Sequence, residues 1–339
     1  MNEVVTIIST AHWEGDPRLN RHVTYLSESG HLVRLVTFAD GGRVRAWGRA
    51  LLAISRARTG YVLLPDPELF AVGSLVARFT GKGSIIDIHE DYARTAMARS
   101  WVPDPLRPLV SALARTAVWL GRICATRVMV AAPELSNGRD SVVLNLPDPA
   151  SLTPPSHLTR SSRLVYVGDI TPERGIDMML ESIAALDESF ELLLIGRVSP
   201  EAANRIETTT NRLGLTERVI VRGRLPHDEA WELASGCLAG LSLLRDVPAY
   251  RDAVATKLWE YLAVGLPAVV TSLPGQGAVA SRIDPRLVCT SAEDVADVVR
   301  LLAADPDLRR ELGLAARRLV EEKWATNRPD LAVQSLLVP

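Results

Sequence analysis

The chain has 339 residues, 47% of them hydrophobic and 23% charged, and its formal net charge is −2. This length favours two domains over one, and the near-neutral charge argues against nucleic acid as a bulk electrostatic partner. The three cysteines are widely spaced and form no CxxC motif, which argues against a disulfide framework and a structural zinc site.

The first residues, MNEVVTIIST, lack the basic region that a signal peptide needs and run directly into a predicted strand, so we do not expect a signal peptide. No apolar run approaches the roughly 18–20 residues that a membrane-spanning helix requires. We therefore expect a soluble or peripheral protein, located in the cytoplasm or on the inner face of a membrane.

Six short apolar runs, separated by helical patterns, occupy the first half of the chain. Continuous rather than alternating apolar runs are typical of a parallel sheet covered on both faces. The first half therefore predicts a doubly wound α/β domain over residues 1–150. Its predicted strands are 4–9, 32–38, 61–64, 84–88, 127–131 and 142–145.

A stretch rich in Pro and Ser follows and has almost nothing to bury, which predicts a linker over 151–162. The alternation then restarts and predicts a second doubly wound domain over 163–315 and a helical tail, 316–339, that packs back on the first domain. Ligands of this architecture bind at the carboxyl edges of the sheets, so we expect the site in a cleft between the domains. The predicted strands are 163–168, 191–196, 219–223, 239–244, 267–271 and 286–289.

Polar residues follow two predicted strands of the first domain. After the first strand, Asp16 suits a helix cap and Pro17 the first helical position, with Arg18 next. After the fourth strand, His89 and Glu90 stand at the edge where function collects in this architecture. Structural alternatives stay open: Asp16 as a simple cap, Arg18 as a solvated charge and His89 as a structural histidine.

The segment 105–127 is predicted to be a basic amphipathic helix, with arginines at 107, 115, 122 and 127. Such a helix suits contact with an anionic membrane surface. The same pattern is typical of a helix that packs on the core and extends its arginines into solvent, and the sequence favours this second interpretation.

The stretch RDAVATKLWEYLAVGLPAVVTS, 251–272, predicts a loop, a helix, a glycine stop and a buried strand. Thr256 suits the N-cap, and Gly265 suits the left-handed residue that ends a helix. A helix N-terminus binds anions because its first amides lack partners. Lys257 in the first turn and Glu260 one turn later are therefore predicted to hold a phosphate and a pair of sugar hydroxyls. The alternative is a solvated surface pair.

The predicted strand 163–168 ends at Gly168, and Arg174 and Gly175 stand just ahead of the next predicted helix. A glycine allows close backbone approach, and an arginine can bind a diphosphate. No complete phosphate-binding loop motif is present, so a surface arginine is the alternative.

The motifs YVGDITPERGIDMMLES, LLLIGR, VIVRGRL and ATKLWEYLAVGLPAVVTS together resemble the nucleotide-sugar half of GT-B fold retaining glycosyltransferases of family 4, the glycosyl transferases group 1. The resemblance covers most of residues 163–275. It implies an α/β protein of two Rossmann-like, doubly wound domains that face an interdomain cleft. The family pattern P-x-K-x-x-E-Y-[ML]-A-x-G-x-P is matched at Lys257, Glu260, Tyr261, Leu262, Ala263, Gly265 and Pro267.

By this resemblance, Glu260 would bind the ribose hydroxyls of the donor, and Lys257 and Arg174 would neutralise its diphosphate. His89 would face the donor sugar, so that the implied catalytic residues are His89, Arg174 and Lys257. Further implied donor contacts are Gly168, Leu225 near the base, Asp252, Ala253, Val254, Ala255 and Thr256. The implied acceptor side comprises Asp16, Arg18, His89 and Glu90.

Two positions depart from the family pattern. Asp252 stands where the family has a glutamate, which puts the usual contact with the donor sugar in doubt. Asp169 stands where an arginine is common, which leaves Arg174 and Lys257 to carry the positive charge at the diphosphate.

The resemblance implies a retaining glycosyltransferase that moves a sugar from a nucleoside-diphosphate sugar, by default a UDP-sugar, to a hydroxyl of a small-molecule, lipid or glycan acceptor. We expect no metal and no other cofactor, because cations and a helix N-terminus can hold the diphosphate. A GT-B fold nucleotide-sugar 2-epimerase and a catalytically weak partner subunit remain alternatives. The arginine-rich composition is typical of an actinobacterial source, and the sequence predicts no oligomeric state.

Overall fold

The computed structural model contains two compact α/β units. The first comprises Met1–Asn145 with Asn327–Pro339, and the second comprises Leu146–Thr326. Most of the predicted linker, 153–160, lies outside the residues that the structure describes. The described residues are 4–38, 42–98, 102–152 and 161–337.

The first unit contains the six predicted strands. They are β1 Val4–Ser9, β2 Leu32–Thr37, β3 Tyr61–Leu64, β4 Gly83–Ile88, β5 Arg127–Val130 and β6 Ser141–Val142. All pair in parallel, in the order β2-β1-β3-β4-β5-β6. The last strand is shorter than predicted because it lies at the edge of the sheet, where its pairing stops opposite the end of β5.

Five helices of the first unit connect these strands. They are α1 Pro17–Glu28, α2 Arg43–Arg56, α3 Pro67–Phe79, α4 Tyr92–Ala98 and α5 Arg107–Cys124. The connections from β2 to β5 all advance in one direction along the sheet, whereas the connection from β1 to β2 runs in the other direction. Because such crossovers are right-handed, α2, α3 and α5 lie on one face of the sheet and α1 lies on the other. Contacts of α3 with both α2 and α5 agree with this arrangement.

The second unit repeats the architecture. Its strands are β7 Arg163–Val167, β8 Glu191–Ile195, β9 Val219–Gly223, β10 Ala239–Ser242, β11 Ala268–Thr271 and β12 Val288–Cys289. They form a second parallel sheet in the order β12-β11-β10-β7-β8-β9. The prediction of two doubly wound α/β domains is therefore confirmed. The remaining helices are α6 Ile176–Ala184, α7 Pro200–Leu213, α8 His227–Ser235, α9 Thr256–Ala263, α10 Pro274–Ala280, α11 Ala292–Ala304, α12 Pro306–Asn327 and α13 Pro329–Ser335.

The C-terminal tail is helical, as predicted, and is interrupted once. The break between α12 and α13 falls at Arg328, which has a left-handed φ of 39° and precedes a proline. Residue 315, the predicted end of the second domain, lies within α12. Helix α13 packs on α1, and Gln334 Nε2 donates a hydrogen bond to the Tyr25 carbonyl oxygen at 3.0 Å. Among the described residues, no helix is both long and apolar enough to cross a lipid bilayer.

Candidate active site

Lys257 is a buried cation in the first turn of α9. The helix begins at Thr256 with Ala255 in the N-cap position, so the predicted Thr256 cap is wrong by one residue. Lys257 is 6% exposed, and its Nζ has no hydrogen-bond partner within the described ranges. Burial, and then the charge of Arg174, lower the pKa of Lys257 well below its usual value. Because an unpaired buried charge is costly, this ammonium group favours an anionic ligand.

Glycine and an aromatic ring surround the Lys257 ammonium. Gly168, which directly follows β7, has a φ of +127°, and a Cβ added there would lie 3.1 Å from Lys257 Nζ. The same Nζ lies 3.5 Å from the centroid of the Tyr166 ring. Gly168 therefore leaves open the space beside the ammonium group, while the ring face offers it only a weak partner.

Arg174 provides a second cation near Lys257. It ends the short turn Pro172–Arg174, and its positive charge opposes the burial that raises the pKa of the Tyr166 phenol. The next residue, Gly175, has a φ of +85°, and a Cβ added there would lie only 1.7 Å from the Leu243 carbonyl oxygen. Only glycine fits at this position. The close approach of the turn to Leu243 therefore fixes the backbone position of Arg174. Two adjacent cations suit a ligand with two negative charges, such as a diphosphate.

Glu260 lies one turn after Lys257 and is also buried, at 6% exposure. Its Oε1 lies 3.0 Å from Nε2 of His227, the first residue of α8. The His227 side chain is 36% exposed, so this imidazole connects the buried carboxylate to the surface. The predicted alternative, a solvated surface pair of Lys257 and Glu260, is therefore wrong for both residues.

The loop before α9 carries the other predicted donor contacts. Asp252 and Ala253 are exposed, and Val254, Ala255 and Thr256 are half-buried. The Asp252 carbonyl oxygen would lie 2.5 Å from a Cβ added at Gly275, so the loop rests directly on the first turn of α10. Leu225, the predicted base contact, is half-buried after β9 and packs against the core of its unit.

The helix that follows this loop ends as the sequence predicts. Gly265 has a φ of +69°, in the left-handed region. Its N–H donates to the Leu262 carbonyl oxygen, and the Leu266 N–H donates to the Tyr261 carbonyl oxygen. This is the Schellman arrangement, which requires the glycine.

In the first unit, Asp87 at the end of β4 holds a buried cluster of charges. Arg18 donates two hydrogen bonds to Asp87, one of them from Nε at 2.6 Å, and His22 Nε2 lies 3.1 Å from the same carboxylate. Burial alone would raise the pKa of Asp87, but Arg18 and His22 outweigh it and hold this pKa far below its usual value. Arg18 is 7% exposed, so the alternative interpretation of Arg18 as a solvated surface charge is wrong.

His89, the predicted sugar-facing residue, lies just beyond Asp87. Its Nδ1 lies 3.0 Å from the Tyr92 hydroxyl. Burial, and then the charge of Arg18, lower the pKa of His89 to about 4. The imidazole is therefore neutral near pH 7, and it can donate or accept a hydrogen bond without carrying charge. Glu90 beside it is half-buried, and its Oε2 lies 3.4 Å from Thr95 Oγ1.

His12, in the loop after β1, bridges two carboxylates. Its Nδ1 lies 3.0 Å from Asp16 Oδ2, and its Nε2 lies 3.3 Å from Asp66 Oδ1. Burial lowers the pKa of His12, but the hydrogen bond to Asp16 and the charge of Asp66 outweigh it, so the pKa is raised. The rings of His12 and His89 meet edge to face, with 5.4 Å between their centroids. The carboxyl ends of β1, β3 and β4 thus meet at one polar cluster.

Asp16 caps α1 as predicted. Its Oδ1 accepts from the backbone N–H groups of Arg18 at 2.9 Å and Leu19 at 3.2 Å. Because its other oxygen holds His12, the same carboxylate also positions the loop after β1. Asp305, just before α12, caps that helix in a similar way, because its Oδ1 accepts from the Leu308 N–H at 2.9 Å.

Residues 155–319, which contain every predicted donor contact, match the family model of the glycosyl transferases group 1. The C-terminal domain belongs to this family. The buried Lys257, the Glu260 carboxylate and the Gly168 turn all lie within the matched segment.

Solved structures are similar over nearly the whole chain. Sucrose-phosphate synthase from Thermosynechococcus elongatus is 15% identical over 99% of this chain and 98% of its own, with a TM-score of 0.75. HepE from Anabaena, in complex with UDP-glucose, is 12% identical over 99% of both chains, with a TM-score of 0.74. A glycosyltransferase from Rickettsia africae is 15% identical over 99% of this chain and 97% of its own, with a TM-score of 0.64.

These similarities establish the GT-B fold, as the sequence predicts. A group 1 domain within this fold makes the chain a glycosyltransferase. No curated protein matches the chain by sequence.

Asp169 shows how this glycosyltransferase differs from the family pattern. Asp169 Oδ2 lies 3.2 Å from Arg197 Nη2, and Oδ1 lies 3.9 Å from Arg224 Nη2. These residues follow β7, β8 and β9, which are neighbours in the sheet. The acidic residue therefore gathers two arginines at the strand ends, and the local charge stays positive although the usual arginine is missing.

The residues of the two clusters that sequence reasoning missed include His227, His12 and Asp66. Each follows a strand, as functional residues do in this architecture, and that position was the available signal. Their partners come from distant parts of the chain, so the pairs form only once the strand order is known.

Proposed function

We propose that this glycosyltransferase transfers a sugar from a UDP-sugar to a hydroxyl group of a small-molecule, lipid or glycan acceptor, in the cytoplasm or at the inner face of a membrane. The observation that supports this most directly is the unpartnered, buried ammonium of Lys257 beside Arg174 and the bare backbone at Gly168. A diphosphate would supply the missing negative charge. UDP is the proposed nucleotide because HepE, a similar structure, was solved with UDP-glucose.

The donor roles follow from the chemistry of each side chain. Glu260 is buried and accepts hydrogen bonds, so it suits the two ribose hydroxyls, while His227 fixes one of its oxygens. The backbone of 253–256 leads into the positive end of α9 and would approach the diphosphate or sugar. Leu225 would contact the base, and Asp252 a hydroxyl of the donor sugar.

Catalysis would rest on stabilising the leaving group. As the bond to the sugar breaks, negative charge grows on the departing diphosphate, and Lys257 and Arg174 would neutralise it. This arrangement supports transfer without a metal. We propose retention of the anomeric configuration, with front-face attack and the leaving phosphate assisting as base.

The acceptor would bind the N-terminal domain near Asp16, His89 and Glu90. A neutral His89 can hydrogen-bond to a sugar or acceptor hydroxyl without adding charge. Arg18 would act indirectly, because its guanidinium is committed to Asp87.

A donor and acceptor screen tests the proposal. UDP-, GDP-, ADP- and dTDP-sugars are incubated with acceptor pools, with and without EDTA, and release of the nucleoside diphosphate is measured alongside product mass. We expect UDP release coupled to an acceptor heavier by one sugar, unchanged by EDTA, and lost in Glu260→Ala. Turnover of none of these donors with any acceptor would overturn it, as would a free epimerised sugar nucleotide. NMR of the product tests retention directly.

A further inference from the structure

The N-terminal domain exposes an unusual face made by helices α2, α3 and α5. These helices cover one side of its sheet, with α3 in contact with both of the others. Their inward residues, such as Ala50, Ile54 and Phe70, are fully buried. The outward sides of such helices are normally polar, because only the inner stripe faces a core.

The outward side of this face is apolar instead. The described residues expose nineteen large apolar side chains, and eleven of them lie on these three helices. The most exposed are Val44 on α2 at 83%, Phe79 on α3 at 84%, and Leu113, Trp119 and Ile123 on α5 at about 60%. On α5 they recur with helical spacing, so they form a stripe that faces away from the sheet. Clustered exposed apolar side chains indicate a binding surface.

The charges on the same helices are almost all positive. The three segments contain eight arginines, and their one acidic residue is Glu68, in the first turn of α3. Exposed arginines occur on each helix, for example Arg45, Arg78 and Arg115. An apolar surface with positive charges and almost no negative ones is complementary to anionic lipid headgroups over an acyl interior.

This face also lies next to the candidate acceptor site. Helices α2 and α3 begin just after β2 and β3, at the edge of the sheet where the cluster of His12, Asp66 and Asp87 lies. Trp47 in the first turns of α2 donates from Nε1 to the Glu68 carbonyl oxygen at 3.2 Å, which ties the two helix starts together. A surface docked here would therefore lie beside the acceptor side of the site.

We propose that the face formed by α2, α3 and α5 docks on an anionic membrane surface. The arginines attract the headgroups, and the Leu, Ile and Trp side chains of α5 enter the boundary between headgroups and acyl chains. The sequence favoured a core-packing role for α5. In the structure the helix packs inward with one side, and its opposite side carries the exposed apolar stripe.

Vesicle flotation of the full chain tests this without any measurement of sugar transfer, so its failure would leave the proposed donor chemistry untouched. The vesicles are phosphatidylcholine alone or mixed with phosphatidylglycerol, at low and high salt. We expect the wild type to float only with anionic vesicles and to be released by salt. No binding to anionic vesicles at low salt would overturn the proposal.

Matched variants distinguish binding through this face from nonspecific adsorption of the protein to vesicles. Leu113→Ser with Ile123→Ser should weaken partitioning at least tenfold, because two exposed apolar side chains are lost. Removing Arg45, Arg78 and Arg115 by substitution with Gln should weaken it by roughly 100-fold, at about fivefold for each charge. The control pair Leu314→Ser and Leu331→Ser, exposed on α12 and α13, should float like the wild type.

Light scattering on the same proteins tests whether a second copy of this chain, rather than a membrane, covers the face. The proposal expects the same mass in solution for the wild type and the Leu113 and Ile123 variant. A wild-type dimer that this variant converts to a monomer would overturn the proposal, because the face would then be a subunit interface. Equal flotation of all the variants would overturn it as well.

Discussion

Because Lys257 is a buried cation, we expect its replacement by an apolar residue to raise the stability of the ligand-free protein and to weaken nucleotide binding. In Lys257→Met the charge is removed and the volume is nearly kept. Replacing buried ionic groups with apolar ones typically stabilises by about 1–4 kcal/mol, and the lost contact with the Tyr166 ring costs about 0.5–2 kcal/mol. We expect the ligand-free variant to be more stable by about 1–2 kcal/mol, or roughly 3–6 °C in Tm.

The ligand response should change in the opposite direction. UDP at a hundred times its Kd should stabilise the wild type by about 2.7 kcal/mol. A charge-assisted hydrogen bond contributes about 1.5–3 kcal/mol, so the variant should bind UDP at least tenfold more weakly. Its stabilisation at the same concentration should fall to about 1.4 kcal/mol or less.

The pH dependence has a definite sign. The pKa of Lys257 is lower in the folded state than the usual 10.5, so the folded state binds fewer protons than the unfolded state between these values. The charged Lys257 therefore destabilises the folded state fully at low pH, and this destabilisation disappears as the pH rises toward 10.5. The stability advantage of Lys257→Met should narrow over this range.

Differential scanning fluorimetry, with and without UDP and at several pH values, measures all three effects. Lys82→Met is the matched control, because the Lys82 ammonium already donates to the Ser55 and Thr80 carbonyl oxygens in the other unit. This control should not become more stable, and its UDP shift should equal that of the wild type. A ligand-free Lys257→Met that is less stable than the wild type, or one with the full UDP shift, would refute the reasoning.

Three further perturbations test other parts of the account. His227→Ala should weaken nucleotide binding about fivefold in calorimetry with little change in Tm, because the partner that fixes Glu260 is lost; unchanged affinity would contradict this role. Gly175→Ala should cost at least about 2 kcal/mol in urea unfolding, whereas Gly214→Ala, at a similar φ with open space, should cost about 1 kcal/mol; equal costs would contradict the close approach. Asp87→Asn should cost about 3–5 kcal/mol near pH 7, because it strands the Arg18 charge. Since the pKa of Asp87 is depressed in the folded state, this loss should be constant above about pH 5 and shrink as the pH falls below about 4; a loss that is independent of pH would contradict the pairing.

The strands could be predicted from sequence because strands buried on both faces leave a continuous apolar signal. All twelve predicted runs overlap a strand, and the run with the smallest overlap, at β6, lies at a sheet edge. The glycine stop at Gly265 was equally readable, because a left-handed residue ahead of a proline has few alternatives. The first residue of α9 could not be predicted in the same way, since a threonine such as Thr256 can either cap a helix or begin one.

The site was partly predictable because its anion-binding half is local in sequence. Lys257 and Glu260 lie one turn apart, so one motif places both. The partners that define their chemistry are distant: Tyr166 lies under the Lys257 ammonium and His227 fixes Glu260. Burial of Arg18 against Asp87 was likewise hidden, because it depends on how α1 packs on the sheet.

The most direct test of the central claim is calorimetric titration of the wild type with UDP, GDP, ADP and dTDP, repeated with Lys257→Met and Glu260→Gln. If the C-terminal domain holds a nucleotide diphosphate as proposed, the wild type binds UDP in preference to the others and both variants bind it at least tenfold more weakly. Equal UDP affinity in all three proteins, or no binding of any nucleotide to the wild type, would contradict the account.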